Sequence, residues 1–359
     1  MPVTVIIEGA TADRVQVRLS RLSELGAALH VLAVPQHHGA HGADWAAAAR
    51  DALTAQQLRA AEHWSPLWSA LRARFLFPLD AAGDRSLDDE LAAIAELPVG
   101  SFTSMVVEAV IDRDRAMPYS LVIEDPDAGR RFVDHAGRFS PQHAELAAEL
   151  ISDPEQCRRR LLEFLAEFDR RAFAAEWRRT VPALHREAER LLYELARDGL
   201  GAIGSVSDTA TELPEPRRIV FDKLYDGVGT VGRQPLLMVP SLQVGPHIVI
   251  KHAPASPLII QYAAGNHRLP PYEEINRRIR ALSDPGRIRL ARALLRGRRT
   301  TVDLAHYTGM SEPQVSRHLR RLREAELVCT SREGALVFYS LDTEVISRIG
   351  ADLLSTLWR

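Results

Sequence analysis

Ala281-Leu282-Ser283-Asp284-Pro285-Gly286-Arg287-Ile288-Arg289-Leu290 opens the segment whose reading decides the fold. Asp284 suits a helix N-cap, and Pro285 the first helical position, where no amide donor is needed. Ile288, Ala291, Leu294 and Leu295 then form a buried stripe that Gly297 ends. Thr300 or Thr301 starts a second helix, in which Leu304 and Ala305 face inward. Thr308-Gly309 is a tight turn, Gly being the residue that accepts positive φ without strain. Met310-Ser311-Glu312-Pro313-Gln314-Val315-Ser316-Arg317-His318-Leu319 begins a third helix capped by Ser311. Its inward residues Val315, Leu319 and Leu322 recur at i, i+4 and i+7. Residues 328–341 read as a β-hairpin turning at Glu333-Gly334. Helix, helix, turn, helix and hairpin is the order of a winged helix-turn-helix, which lays one helix in the DNA major groove.

The outward face of that third helix shows Gln314, Ser316, Arg317, Arg320 and Arg321. Gln bonds adenine bidentately and Arg bonds guanine, so helix position favours Gln314 and Arg317 as base readers. Ser311 and Ser316, with Arg320, Arg321 and Arg323, suit phosphate oxygens. Arg332, near the hairpin tip, is the natural wing contact with double-stranded DNA. The net charge of -2 hides an asymmetry. Residues 272–345 carry 14 Arg and no Lys against 10 Asp and Glu, leaving 31 basic and 37 acidic residues elsewhere. A basic module on an acidic body fits nucleic-acid binding by one part of the chain. Arginines alone describe a solvated helix face equally well; the caps, the Gly turn, the apolar triplet and the hairpin together favour the DNA reading.

Leu282 to Arg289, Ser316-Arg317-His318-Leu319 and Leu322-Arg323-Glu324-Ala325-Glu326-Leu327-Val328 resemble the ArsR/SmtB-type winged-helix repressors. The resemblance implies a homodimer on an imperfect inverted repeat, usually repressing until an inducer arrives. Phe221-Asp222-Lys223-Leu224-Tyr225-Asp226-Gly227-Val228 and Leu236-Leu237-Met238-Val239-Pro240-Ser241 resemble, more weakly, long ArsR-like regulators with an N-terminal domain of unknown role. One departure matters. Metal-sensing members place a Cys-x-Cys pair on a module helix, or Asp and His on the last helix. Here the first module helices have no Cys, and Cys329 stands alone on the first wing strand. The closing helix has Glu344 and Asp352 but no His. No metal inducer and no cofactor are therefore carried over. Val345, Ile349, Leu353 and Leu357 on that helix suit either a dimer contact or packing on its own domain.

A length of 359 residues suggests two or three domains. With 46% hydrophobic and 26% charged residues the composition is that of a globular protein able to bury a sizeable core. Two cysteines make no disulfide framework, which fits a reducing compartment. No signal segment is read at the start, and no run of about 18 apolar residues exists, so the expectation is cytoplasmic, with no membrane contact. Strands are expected over 3–7 and 15–19. Helices are expected over 20–34, 45–53, 55–75, 87–97, 102–112, 141–151 and 155–197, the last with a break near Pro182. Thr54, Ser86, Ser101, Ser140 and Asp153 occupy N-cap positions. Residues 201–216 read as loop. Short β-runs at 218–221, 236–239, 247–251 and 258–262 are expected to form a small sheet against the long helices. The expected architecture is α+β and predominantly helical. An N-terminal α/β effector-type domain spans 1–268, a winged helix-turn-helix 269–345, and a C-terminal helix 346–359.

His37, His38 and His41 are the densest set of potential metal ligands, but Gly39 and Gly42 make the segment a loop, and Asp44 suits a helix cap. No metal site is assigned, though whether these histidines bind metal stays open. Trp45, Trp64, Trp68 and Trp177 suit either core packing or an apolar ligand pocket. An enzyme has little support. No Gly-x-Ser-x-Gly elbow occurs, and Gly227-Val228-Gly229-Thr230-Val231-Gly232 has the wrong spacing for a phosphate loop. The functional expectation is a dimeric, sequence-specific transcriptional regulator, a repressor by resemblance, released by a small-molecule effector bound in the N-terminal domain. The alternative is an enzyme or scaffold that uses its winged helix for protein contact.

Overall fold

The computed structural model describes residues 2–35, 40–111, 121–207, 210–223, 226–232, 234–245, 247–252, 256–265, 272–334 and 336–357. They fall into two compact units, Met1–His267 and Arg268–Arg359.

The first unit carries α1 (Arg21–Ala33), α2 (Ala40–Ala52), α3 (Ala55–His63), α4 (Leu87–Ala95) and α5 (Val99–Val110). It continues with α6 (Pro126–Gly137), α7 (Pro141–Ser152), α8 (Pro154–Phe168) and α9 (Ala174–Asp198). Hydroxyl and carboxylate caps start many of these helices: Ser20, Thr54, Ser86, Ser140 and Asp153 each accept an amide of the first turn. Ser101 does not, because α5 begins two residues earlier, behind Pro98. Its strands are β1 (Pro2–Ile6), β2 (Val15–Val17), β3 (Ala210–Pro214), β4 (Arg217–Asp222), β5 (Gly227–Thr230), β6 (Leu236–Ser241), β7 (Val249–Lys251) and β8 (Leu258–Ala263).

Two four-stranded sheets result, ordered β3-β4-β1-β5 and β2-β6-β8-β7, rather than one small one. In the second sheet β2, β6 and β8 run parallel. Strands of that kind are covered on both faces and largely apolar, as Leu236–Ser241 and Leu258–Ala263 are apart from Ser241 and Gln261. Leu236, Met238, Leu258, Ile260 and Tyr262 share a core with Val3, Val5, Ile219 and Phe221 of the first sheet and Leu191 and Leu195 of α9. The alternate residues Leu237, Val239 and Ile259 join the larger helical core, centred on α1 and including Trp64, Trp68, Phe102 and Phe132.

Several elements differ from the sequence expectation. The helix expected over 55–75 stops at His63, and two 3-10 turns follow, at Ser65–Leu67 and Arg74–Leu76. Pro66 has no amide to continue the α-helical ladder, and the chain tightens into a 3-10 turn there. The 155–197 helix does not break at Pro182; it is interrupted by a π turn at Asp169–Phe173, and Pro182 lies inside α9. Helix α6, launched by Asp125-Pro126, was not anticipated, nor were β3 and β5. Strand β5 shows why its glycines matter: a Cβ on Gly229 would lie 2.7 Å from Leu258 Cδ1. Among the described residues no single helix is long and apolar enough to cross a membrane.

The second unit consists of α10 (Tyr272–Leu282), α11 (Pro285–Leu294), α12 (Thr301–Thr308), α13 (Glu312–Glu324), β9 (Val328–Glu333), β10 (Leu336–Leu341) and α14 (Thr343–Leu357). Leu290, Leu294, Leu304, Val315, Leu319, Leu322 and Leu327 form its core. The hairpin pairs Val328 with Leu341 and Glu333 with Leu336. Arg299 adds a short third strand through reciprocal bonds with Tyr339, N to O at 3.0 Å and 2.8 Å. Arg278 is buried and bridges Glu274 of α10 (2.5 Å), Glu326 (2.8 Å) and Asp352 of α14 (3.9 Å). Helix α14 starts at Thr343, just ahead of Glu344, with Asp342 accepting the Val345 amide at 3.0 Å. Val345 and Ile349 pack on the core of their own unit; the Leu357 side chain lies outside the described residues.

Candidate nucleic-acid interface

Two tight local devices set the α12–α13 angle. Thr300 and Asp303 form a reciprocal capping box that starts α12. Gly309 closes it in the left-handed region, φ 69°, which frees the chain to reverse into α13. Helix α13 then buries Val315, Leu319 and Leu322, each at most 1% exposed, and turns its other face to solvent. Gly286 sits where α11 approaches α13: a Cβ there would lie 3.0 Å from His318 Nε2. His318 Nδ1 is 3.8 Å from Asp284, the N-cap of α11, which accepts the Arg287 amide at 2.9 Å.

Six of the seven residues expected to touch DNA lie on α13 or its cap, and the seventh, Arg332, lies on β9. All seven are exposed. Their engagements differ. Gln314 Oε1 accepts from the Ser311 amide (3.1 Å) and hydroxyl (3.2 Å), so both residues are occupied in starting the helix. A bidentate contact with adenine needs that oxygen as well as the amide nitrogen, so the cap must open before Gln314 reads a base this way. Arg320 Nε and Arg321 Nη1 both donate to Glu324, at 3.1 Å and 3.2 Å. The Arg320 hydrogen bond holds the Glu324 carboxyl below the ordinary value. Ser316 and Arg317, by contrast, make no side-chain hydrogen bond or ion pair among the described residues, and Arg323 shares that freedom. Arg332 Nε donates to Gly334 O at 3.3 Å and so stays at the hairpin turn.

Sequence reasoning missed the bracing of the wing. Arg298 pairs with Glu333 and stands 4.8 Å over the Phe338 ring, while Arg299 stands 5.2 Å over Tyr307. The Arg298-Arg299 pair just before α12 was the available signal, but nothing local says that the hairpin folds back to it. In the first unit, Trp45, Trp64 and Trp68 are core residues, and Trp68 stacks on Phe164 at 5.9 Å. His37 and His38, and the side chain of His41, lie outside the described residues. Among the described residues no group of three His, Cys, Asp or Glu is placed to hold a metal ion. Cys157 is buried, its thiol pushed up to about 12 by burial, and Cys329 is exposed.

Comparison with known proteins gives two family matches. Residues 1–268 match a family of unknown function, DUF5937, and residues 284–330 match the bacterial regulatory proteins of the arsR family. The chain is 36% identical over 72 residues to the transcriptional repressor SdpR of Bacillus subtilis, covering 20% of this chain and 80% of that protein. It is 32% identical over 82 residues to the arsenical resistance operon repressor of Staphylococcus xylosus, covering 23% and 79%. Among solved structures, NolR from Sinorhizobium fredii shares 26% identity over 24% of this chain and 86% of its own, with a TM-score of 0.21.

Proposed function

We propose that this chain, which belongs to the family of unknown function DUF5937 and carries an arsR-family regulatory domain, is a sequence-specific DNA-binding transcriptional regulator. The observation that carries the reading is Arg317: exposed, unpaired among the described residues, and one turn beyond a firmly capped start of α13. Ser316 and Arg323 are likewise exposed on α13, and Arg332 lies on a braced wing. The protein acts as a homodimer whose two α13 helices meet successive major grooves of an inverted repeat, about 34 Å apart. Repression is the simplest mode, since the relatives SdpR and the arsenical resistance repressor are repressors by name. The first unit supplies the site for a small-molecule effector, which shifts DNA affinity to the extent that it binds the DNA-free and DNA-bound states unequally. No catalytic role is proposed for either unit.

The test is fluorescence anisotropy on DNA from the gene's own upstream region across a salt series. The expected result is an affinity that falls steeply with salt, by about 0.9 log units per log unit for each phosphate contact. Arg317→Ala abolishes sequence preference, and sedimentation of the complex gives two chains per site. Salt-insensitive binding, or preference retained in Arg317→Ala, overturns the proposal.

A further inference from the structure

The first unit has a cleft just past the carboxyl end of β2, where the chain turns from Val17 into α1 through Arg18, Leu19 and Ser20. Its walls surround about 420 Å³ of empty space, open solvent included. Leu22, Phe75, Phe77 and Leu79 line it with apolar surface, and Arg18 supplies positive charge.

Arg18 is the unusual member. It is half-buried, its Nη2 donates to Gln16 Oε1 at 2.9 Å, and its Nε is shielded from water with no hydrogen-bond partner. No carboxylate pairs with it among the described residues. Glu90 does not fill that role, because its two oxygens are taken at the start of α1, by the Ser20 hydroxyl and by the Leu22 amide at 2.9 Å. Asp80 is held by Arg85 at the exposed rim, 2.8 Å away. A guanidinium half out of water and lacking a counter-charge favours an anion, and its planar fork matches a carboxylate. We infer that this cleft binds a small organic acid, its carboxylate on Arg18 and its hydrocarbon part against Leu22, Phe75 and Phe77.

The inference rests on the effector part of the function proposed above and is tested apart from it. Calorimetry on the full chain without DNA compares benzoate, phenylacetate and hexanoate with the corresponding neutral amides. The expected result is saturable binding of at least one acid, about tenfold or more tighter than its amide. Arg18→Gln removes the preference for the acid, while Ala93→Trp fills the cleft and removes binding of acid and amide alike, both variants melting as the parent does. No saturable binding of any acid at millimolar concentration, equal binding of acid and amide, or a preference surviving Arg18→Gln each overturns the site. The bound acid is then added to the protein–DNA complex. An acid that binds at Arg18 and leaves DNA affinity unchanged supports the site and refutes its role as the effector site.

Discussion

Glu24 makes the first unit's stability depend on pH in a direction opposite to that of most carboxylates. The residue is 1% exposed in the middle of the helical core, and its Oε1 accepts the Leu242 and Gln243 amides at 2.9 Å and 3.2 Å. Burial nevertheless pushes the carboxyl up to about 7 from its ordinary 4.5, despite those bonds and the Arg72 guanidinium. Between these two values the folded chain holds a proton that the unfolded chain releases, so this stability is present on the acid side and lost as pH rises through 7. At 1.36 kcal/mol per pKa unit, the shift corresponds to about 3 kcal/mol. Glu24→Gln keeps an oxygen for the two amides and carries no titrating group. Urea unfolding followed by tryptophan fluorescence reports chiefly on this unit, where four of the five tryptophans lie. The expected result is a variant close to the parent near pH 5 and gaining about 3 kcal/mol on it by about pH 8. Parallel stability curves across that range would refute the reasoning, since Glu24 would then be ionised in the folded core or solvated more than its burial implies.

Glu90, also buried and pushed up to about 7, behaves alike, and Glu90→Gln flattens the same pH profile in the same assay. Glu324→Gln frees Arg320 and Arg321, and the anisotropy titration shows tighter DNA binding with a steeper salt dependence. Leu319→Ala removes a side chain 1% exposed in the smaller core and costs about 2–5 kcal/mol, read as a lowered melting transition of the second unit. Gly309→Ala meets no neighbouring atom, so only the positive φ is penalised, and the same melt registers about 1–2 kcal/mol.

The winged-helix elements were legible because their signals are local. Caps at Asp284, Thr300 and Ser311 and the i, i+4, i+7 triplet of α13 each involve residues within two turns of one another. Two local signals went unused: Ser-x-x-Gln is a capping-box spacing that occupies Gln314, and Arg320 and Glu324 stand at i, i+4. The first unit hides more. Strand β5 pairs Val5 with Gly229 across more than half the chain, and its glycine-rich run carries no apolar alternation to announce it. Strand β3 likewise buries little of itself and exists because β4 offers an edge. The π turn at Asp169–Phe173 is held by packing: Phe173 is fully buried, and Asp169 binds Arg21 of α1 at 2.7 Å and 2.9 Å. Of these partners only β4 is near in sequence, two residues beyond β3.

The pairing on α13 bears on how such a face discriminates among sequences. Four exposed arginines, Arg317, Arg320, Arg321 and Arg323, lie within two helical turns, and two of them already share Glu324. When a phosphate takes Arg320 or Arg321, one exposed ion pair is exchanged for another, and such pairs are worth little in water. Arg317 and Arg323 surrender no such partner, so each keeps its full attraction for DNA. A face with four free guanidiniums would hold any duplex through its phosphates and gain little from the right sequence. Under the proposed function, Glu324 lowers that general attraction while leaving Arg317, the side chain best placed for a guanine edge, untouched. Glu324→Gln should therefore strengthen binding to unrelated DNA more than binding to the operator. The ratio of the two affinities, measured at one salt concentration, should fall; a ratio that rises would show that Glu324 orders the arginines for recognition rather than restraining them.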